Sequence, residues 1–291
     1  MPIVIGRPIL VLALIAMVWP DNASADSGAA PDKSAYTLFD PTPDDALRAF
    51  APDRPTKITG PTTVDAGHFQ IETDIFNQVY DRRNEQEVAS RQIVWFDPTL
   101  KLGITNDIDA EISFVPYTKL RATDERLGAT LAAEGVGDVS LRAKINLAGN
   151  EGGAFAVAIV PWVKIPTAGA NLGNGQLEGG LLLPATFDLG SDFTLAYQPA
   201  LNLLADNFDN GRHADIQNTL ALGHPFLSRG TAFVEIFHEI GADRGARSIL
   251  TADLAFAYLL TDTVQIDAGV NFGITRAAPD VNSYTGIAVR F

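Results

Sequence analysis

The chain has 291 residues, no cysteine and a net charge of −14, from 35 acidic against 21 basic residues. The acidic balance argues against a nucleic-acid partner. The missing cysteines exclude disulfides, thiolate nucleophiles and cysteine-based zinc sites.

Arg7 is the only charge ahead of an almost wholly apolar run over residues 9–19, and Ala23-Ser24-Ala25 follows as a small-x-small cleavage site. The run is about half of the ~20 residues a membrane-spanning helix needs, so residues 1–25 read as a secretory signal peptide, with Asp26 as the mature N-terminus. Residues 26–65 are turn-rich. The Asp44 and Asp45 carboxylates suit the start of a short helix over 44–50, and the whole segment reads as a periplasmic extension leading into the next domain.

From residue 66 onward nearly all periodicity is period two. Twelve strands are expected over 67–80, 89–103, 108–117, 137–148, 154–166, 176–189, 193–204, 213–225, 231–239, 248–260, 264–274 and 283–291. Their connections alternate. Residues 105–107, 149–153, 190–192, 227–230 and 261–263 are tight turns, whereas 81–88, 118–136, 167–175, 205–212, 240–247 and 275–282 are longer and polar. Alternating segments of about ten residues, with short turns on one side and long loops on the other, are the pattern of a transmembrane β-barrel. The expected fold is therefore all-β: an antiparallel up-and-down barrel over 66–291, with both termini on the short-turn, periplasmic side and the long loops outside the cell.

The strand faces sort by polarity. Val139, Leu141, Ala143, Ile145 and Leu147 alternate with Asp138, Ser140, Arg142, Lys144 and Asn146, and the same holds around Asp267. The polar faces assign to the lumen Glu72, Asp74, Asp97, Asp109, Glu111, Asp138, Glu178, Asp188, Asp215, Glu235, Asp253 and Asp267, with the bases Arg91, Lys101, Arg142, Lys144, Lys164 and Arg290. No mid-strand lipid-facing position carries a charge, which avoids a cost of about 2–4 kcal/mol per Lys or Arg at mid-depth. Of these, Glu72, Asp74, Lys101, Asp109, Glu111, Asp138, Arg142, Lys144, Asp267 and Arg290 form the candidate site, a charged network that either stiffens the lumen or sets its selectivity. The turn at Asn106 places Lys101 opposite Glu111. The final strand alternates strictly and stops on Phe291. That ending resembles the closing strand of outer-membrane barrels, whose terminal aromatic is read by the barrel-assembly machinery.

No catalytic constellation is legible. His238-Glu239 lacks the second histidine of a zincin helix, and His68, His213 and His224 are scattered along the chain. There is no nucleophile elbow or phosphate loop. No cofactor or metal is expected.

The segments Asp53-Arg54-Pro55, Asp65-Ala-Gly-His-Phe-Gln-Ile-Glu72, Gly103-Ile-Thr-Asn-Asp107, Gly135-Val-Gly-Asp-Val-Ser-Leu-Arg-Ala-Lys144 and Ile165-Pro-Thr-Ala-Gly169, with Leu260-Thr-Asp262, Asn271-Phe-Gly-Ile-Thr275 and Ala278-Pro-Asp280, occur in an order that resembles the outer-membrane β-barrel family labelled as a phenol meta-degradation-pathway transporter. The resemblance covers residues 40–291. It implies a bacterial outer-membrane location and passive passage or uptake of small aromatic or hydrophobic molecules, with membrane lipid and the assembly machinery as partners and a monomeric barrel. A structural or surface-interaction barrel is the alternative, and an outer-membrane hydrolase the third reading.

Overall fold

A computed structural model describes residues 32–82, 84, 86–206, 211–243 and 246–291. The expected signal peptide lies outside them. One 3-10 turn, Asp44–Ala46, is followed by strand segments β1 (Phe69–Asp81), β2 (Val88–Trp95), β3 (Asp97–Thr105), β4 (Ile108–Phe114), β5 (Tyr117–Asp124), β6 (Ala129–Gly135), β7 (Val139–Ala148) and β8 (Phe155–Ile165). The chain continues through β9 (Glu178–Leu182), β10 (Ala185–Gly190), β11 (Phe193–Ala205), β12 (Arg212–Leu227), β13 (Gly230–Gly241), β14 (Ile249–Leu259), β15 (Val264–Gly273) and β16 (Val281–Arg290).

These sixteen segments make twelve staves, because β2 runs on into β3, β4 into β5, β6 into β7 and β9 into β10. All pairings are antiparallel between neighbours, and β16 pairs with β1 from Gln70↔Arg290 to Tyr80↔Val281, which closes the sheet. Closure removes the sheet edge that hydrocarbon could not satisfy. The Phe291 N–H donates to the Phe69 carbonyl at 2.8 Å, and the two rings lie 6.1 Å apart at the seam.

Burial is inverted relative to a water-soluble protein. The outward face exposes Leu141, Val234, Ile236, Leu254, Phe256 and Ile266, while the fully enclosed side chains include Lys101, Lys144, Asp109 and Asp215. Such a surface is stable only in an apolar solvent, with the polar face turned to the lumen. No described helix is long and apolar enough to cross a membrane; the strands do the crossing.

Three local expectations are corrected. Residues 118–136 are not a loop: β5 and β6 form a hairpin, turning at 125–128, that continues two staves past β4 and β7, with β5 also paired to β2. The expected helix over 44–50 is a single 3-10 turn without a side-chain cap, since from Leu47 the backbone is extended and the Arg48 N–H is taken by Asp65. Arg91 is not lumenal. Phe96 sits at φ 56° between β2 and β3, so Trp95 and Phe96 both face outward and the alternation changes phase. Arg91 then pairs across the strands with the exposed Tyr80 and bonds Gln78 at 3.0 Å.

Candidate functional site

The register brings one group of predicted residues together. Lys101 of β3 is opposite Glu111 of β4, which is opposite Arg142 of β7, and Asp109 is opposite Lys144. Lys101 Nζ lies 2.5 Å from Glu72 and 3.9 Å from Glu111; Glu111 also meets Lys144 at 3.5 Å and Arg142 at 3.8 Å. Farther toward the loops, Lys164 bridges Asp138 at 3.2 Å and Glu178 at 2.8 Å. Arg290 is apart from this network. It lies at the turn end, where its guanidinium donates to the Arg48 carbonyl at 2.7 Å and is 3.9 Å from Asp65. Asp188 is exposed near the turn that follows β10. Phe291 is exposed beside the seam.

The expected extension divides in two. Residues near Thr37 and Leu38 pair with the turn end of β3, through a Thr37↔Thr105 bridge and a Leu38 N–H donating to Ile104. Beyond Phe50 the chain runs inside the wall and acts as a plug. Asp53 receives Lys144 at 2.9 Å and also binds Lys101. The backbone N–H groups of Asp53 and Arg54 donate to the two carboxylate oxygens of Glu72 at 3.2 and 3.1 Å. Arg54 reaches Asp74 and Asp267, each at 2.6 Å. Gly286 is needed beneath it, because a Cβ there would lie 2.1 Å from the guanidinium. Lys57 binds Asp253 and is 3.7 Å from Glu235, while its own N–H donates to Glu235 at 3.1 Å. The Thr59 N–H donates to Gln198, the Val64 N–H to Asp109, and Asn146 donates to the Pro61 carbonyl, each at 2.9 Å.

Charge chemistry explains why this plug stays in place. Enclosure would push the Asp53 carboxyl up, but the ammonium groups of Lys101 and Lys144 outweigh that and hold it down at about 2. The backbone N–H groups of Asp53, Arg54, Lys57, Thr59, Thr63 and Val64 find carboxylate or amide acceptors on the wall, which replace the sheet partners this extended segment lacks at those positions.

The plug separates spaces of different character. Above it, a cavity of about 170 Å³ is floored by Arg54, Lys57 and Ile58 and walled by Asp74, Asp97 and Arg142. At the turn end, a space of about 630 Å³ is lined by Leu47, Phe50, Leu259 and Phe291. Beside Lys101 and Lys144 only about 10 Å³ remains, scarcely room for one water molecule.

The sequence reading missed Asp53, Arg54 and Lys57 as site residues. The available signal was an excess of lumenal acids over bases, which calls for cations from elsewhere in the chain.

Residues 52–291 match the protein family described as "Putative MetA-pathway of phenol degradation". The chain belongs to this family. No curated protein matches it. Among solved structures, an outer membrane channel from Pseudomonas putida F1 superposes with a TM-score of 0.60 at 14% identity, over 77% of this chain and 95% of that one. The β domain of the Bordetella autotransporter BrkA superposes at 0.52 and 14% identity, over 77% of this chain and 99% of that one. These likenesses are of fold: a closed twelve-stranded antiparallel barrel of the bacterial outer membrane.

Proposed function

We propose that the protein is a monomeric outer-membrane channel for passive passage of small molecules, held shut by its own residues 51–64. The observation that carries this reading is how the lumen is filled. A barrel serving only as a scaffold can close its interior with wall side chains; here a separate chain segment fills it, held by ion pairs and hydrogen bonds that water can replace. The fold shared with an outer membrane channel from Pseudomonas putida F1 supports the same class. The family description supports phenol-like aromatic molecules as the solutes, and a neutral aromatic would be little affected by the lumenal field. The network of Lys101, Glu111, Arg142 and Lys144 then anchors the plug and lines the path once the plug yields.

Purified protein in liposomes tests this. The parent should conduct weakly, and a variant lacking residues 51–64 should conduct at least several-fold more and pass phenol faster than a sugar of similar size. A sealed barrel in both forms would favour the structural alternative, and turnover of lipid would revive the hydrolase.

Phe291 is proposed as the assembly signal. Its deletion should slow insertion by the assembly machinery more than it changes the finished barrel, and unchanged insertion kinetics would remove that role.

A further inference from the structure

The loop-end mouth of the lumen holds a second constellation, unrelated to the plug. Three neighbouring strands end there: β11 leads to Asp206, β12 begins beside His213, and β13 leads to Asp243. Backbone ladders hold them in place. Leu204 is opposite His213, Asp215 is opposite Gly241, the Asp206 N–H donates to the Gly211 carbonyl, and the Ala242 N–H donates to Ala214. One ligand atom from each of Asp206, His213 and Asp243 lies within 4.8 Å of the other two.

His213 is half-buried and positioned. Its Nδ1 is 2.8 Å from Asp206, and its ring packs over Gly241, where a Cβ would come within 3.1 Å of Nε2. On the same inward face, nearer the plug, stand Asp215 and Glu239, then Glu235 and Asp253. The three residues thus cap a stripe of carboxylates running from the mouth down one wall, of which Glu235 and Asp253 already hold Lys57, leaving Asp215 and Glu239 to favour cations near the mouth.

We propose that Asp206, His213 and Asp243 bind a divalent cation of the zinc class. One imidazole nitrogen with two carboxylate oxygens suits zinc, copper or nickel and leaves positions for water, whereas calcium and magnesium prefer oxygen ligands alone. Tetrahedral ligand bonds of about 2.0–2.2 Å place donors about 3.4 Å apart, so side-chain movements of about an ångström bring the three donors, now within 4.8 Å of one another, onto one ion. His213 stands on β12, and Asp206 and Asp243 lie one and two residues past the ends of β11 and β13, so the ends of three neighbouring strands set the spacing of the ligands.

Zinc titration of the full mature chain in detergent micelles, by calorimetry at pH 7.5, tests the site. One zinc equivalent should bind, and calcium or magnesium in large excess should not displace it. His213→Ala and Asp243→Asn should each weaken binding by more than about 100-fold, beyond the range seen for outer-shell losses. His238→Ala, at a histidine 2.7 Å from Ser248 instead of in this cluster, should bind as the parent does. Heat-modifiable gel migration identifies folded barrels, and Asp206→Asn replaces any variant that fails to fold. No saturable zinc binding by the parent, or binding retained when His213 or Asp243 is changed, would overturn the proposal.

Discussion

Two walls of the same lumen solve the problem of buried charge differently. The wall built from β1, β3, β4, β7 and β8 carries Glu72, Asp109 and Glu111 together with Lys101, Arg142, Lys144 and Lys164, so acids and bases meet within it. The wall built from β12 to β15 carries Asp215, Glu235, Glu239, Asp253 and Asp267, and no lysine or arginine on its inward face. Its cations come from the plug: Arg54 for Asp267 and Lys57 for Glu235 and Asp253. One wall is largely neutralised by its own residues, and the other depends on a segment about two hundred residues earlier in the chain. The plug is therefore a counterion as well as an obstruction.

The largest expected effect comes from removing those cations. Arg54→Ala leaves Asp74 and Asp267 without their partner, and breaking a buried pair in this way costs about 3–5 kcal/mol. Lys57→Ala leaves Glu235 and Asp253, which are register partners, as facing like charges; Lys57 is more exposed, so its loss should cost less. Both variants should melt earlier on heat-modifiable gels and conduct more than the parent, with cation preference in reversal potential. Unchanged melting in Arg54→Ala would contradict the dependence of this wall on the plug.

Gly286→Ala reaches the same contact without removing a charge. The added Cβ displaces the guanidinium from above β16, so Arg54 should release Asp267 while Lys101 and Lys144 keep Asp53. A stability loss of about half that of Arg54→Ala, with the same sign of selectivity, would sharpen the assignment; loss of the barrel altogether would point to sheet damage instead.

The self-neutralised wall should respond less. Replacing Glu111 by Gln and Asp109 by Asn leaves Lys101 with Asp53 and Glu72, and Lys144 with Asp53. The double variant should lower cation preference in an unplugged background while shifting melting by less than Arg54→Ala does. Lower melting without conductance in either background would require the transport reading to be withdrawn.

Acid gives the smallest effect. The Asp53 carboxyl is held at about 2 in the folded protein, below its ordinary value of 3.8. Its contribution to stability is therefore fully present above about pH 4 and is lost as pH falls through about 2. The parent should lose melting temperature more steeply than Asp53→Asn between pH 4 and pH 2. Equal slopes would mean that the lysine latch contributes nothing.

Much of this molecule was legible from residues alone. Period-two alternation is local, so strands such as β7 and β15 and the lumenal placement of Lys101, Asp109, Glu111, Lys144 and Asp267 followed from spacing and turn lengths. Alternation also sets which residues share a face, and a short turn such as the one at Asn106 sets the register of Lys101 against Glu111. Tertiary structure alone decided the rest. One positive-φ residue, Phe96, reversed the parity of Arg91, and a hairpin in 118–136 hid in alanine-rich sequence with little polarity contrast. The pairing of Arg54 with Asp267, and the meeting of Asp206, His213 and Asp243, depend on which strands close beside one another. Coulomb attraction acts through space and leaves no period along the chain, so those contacts had no sequence signal to read.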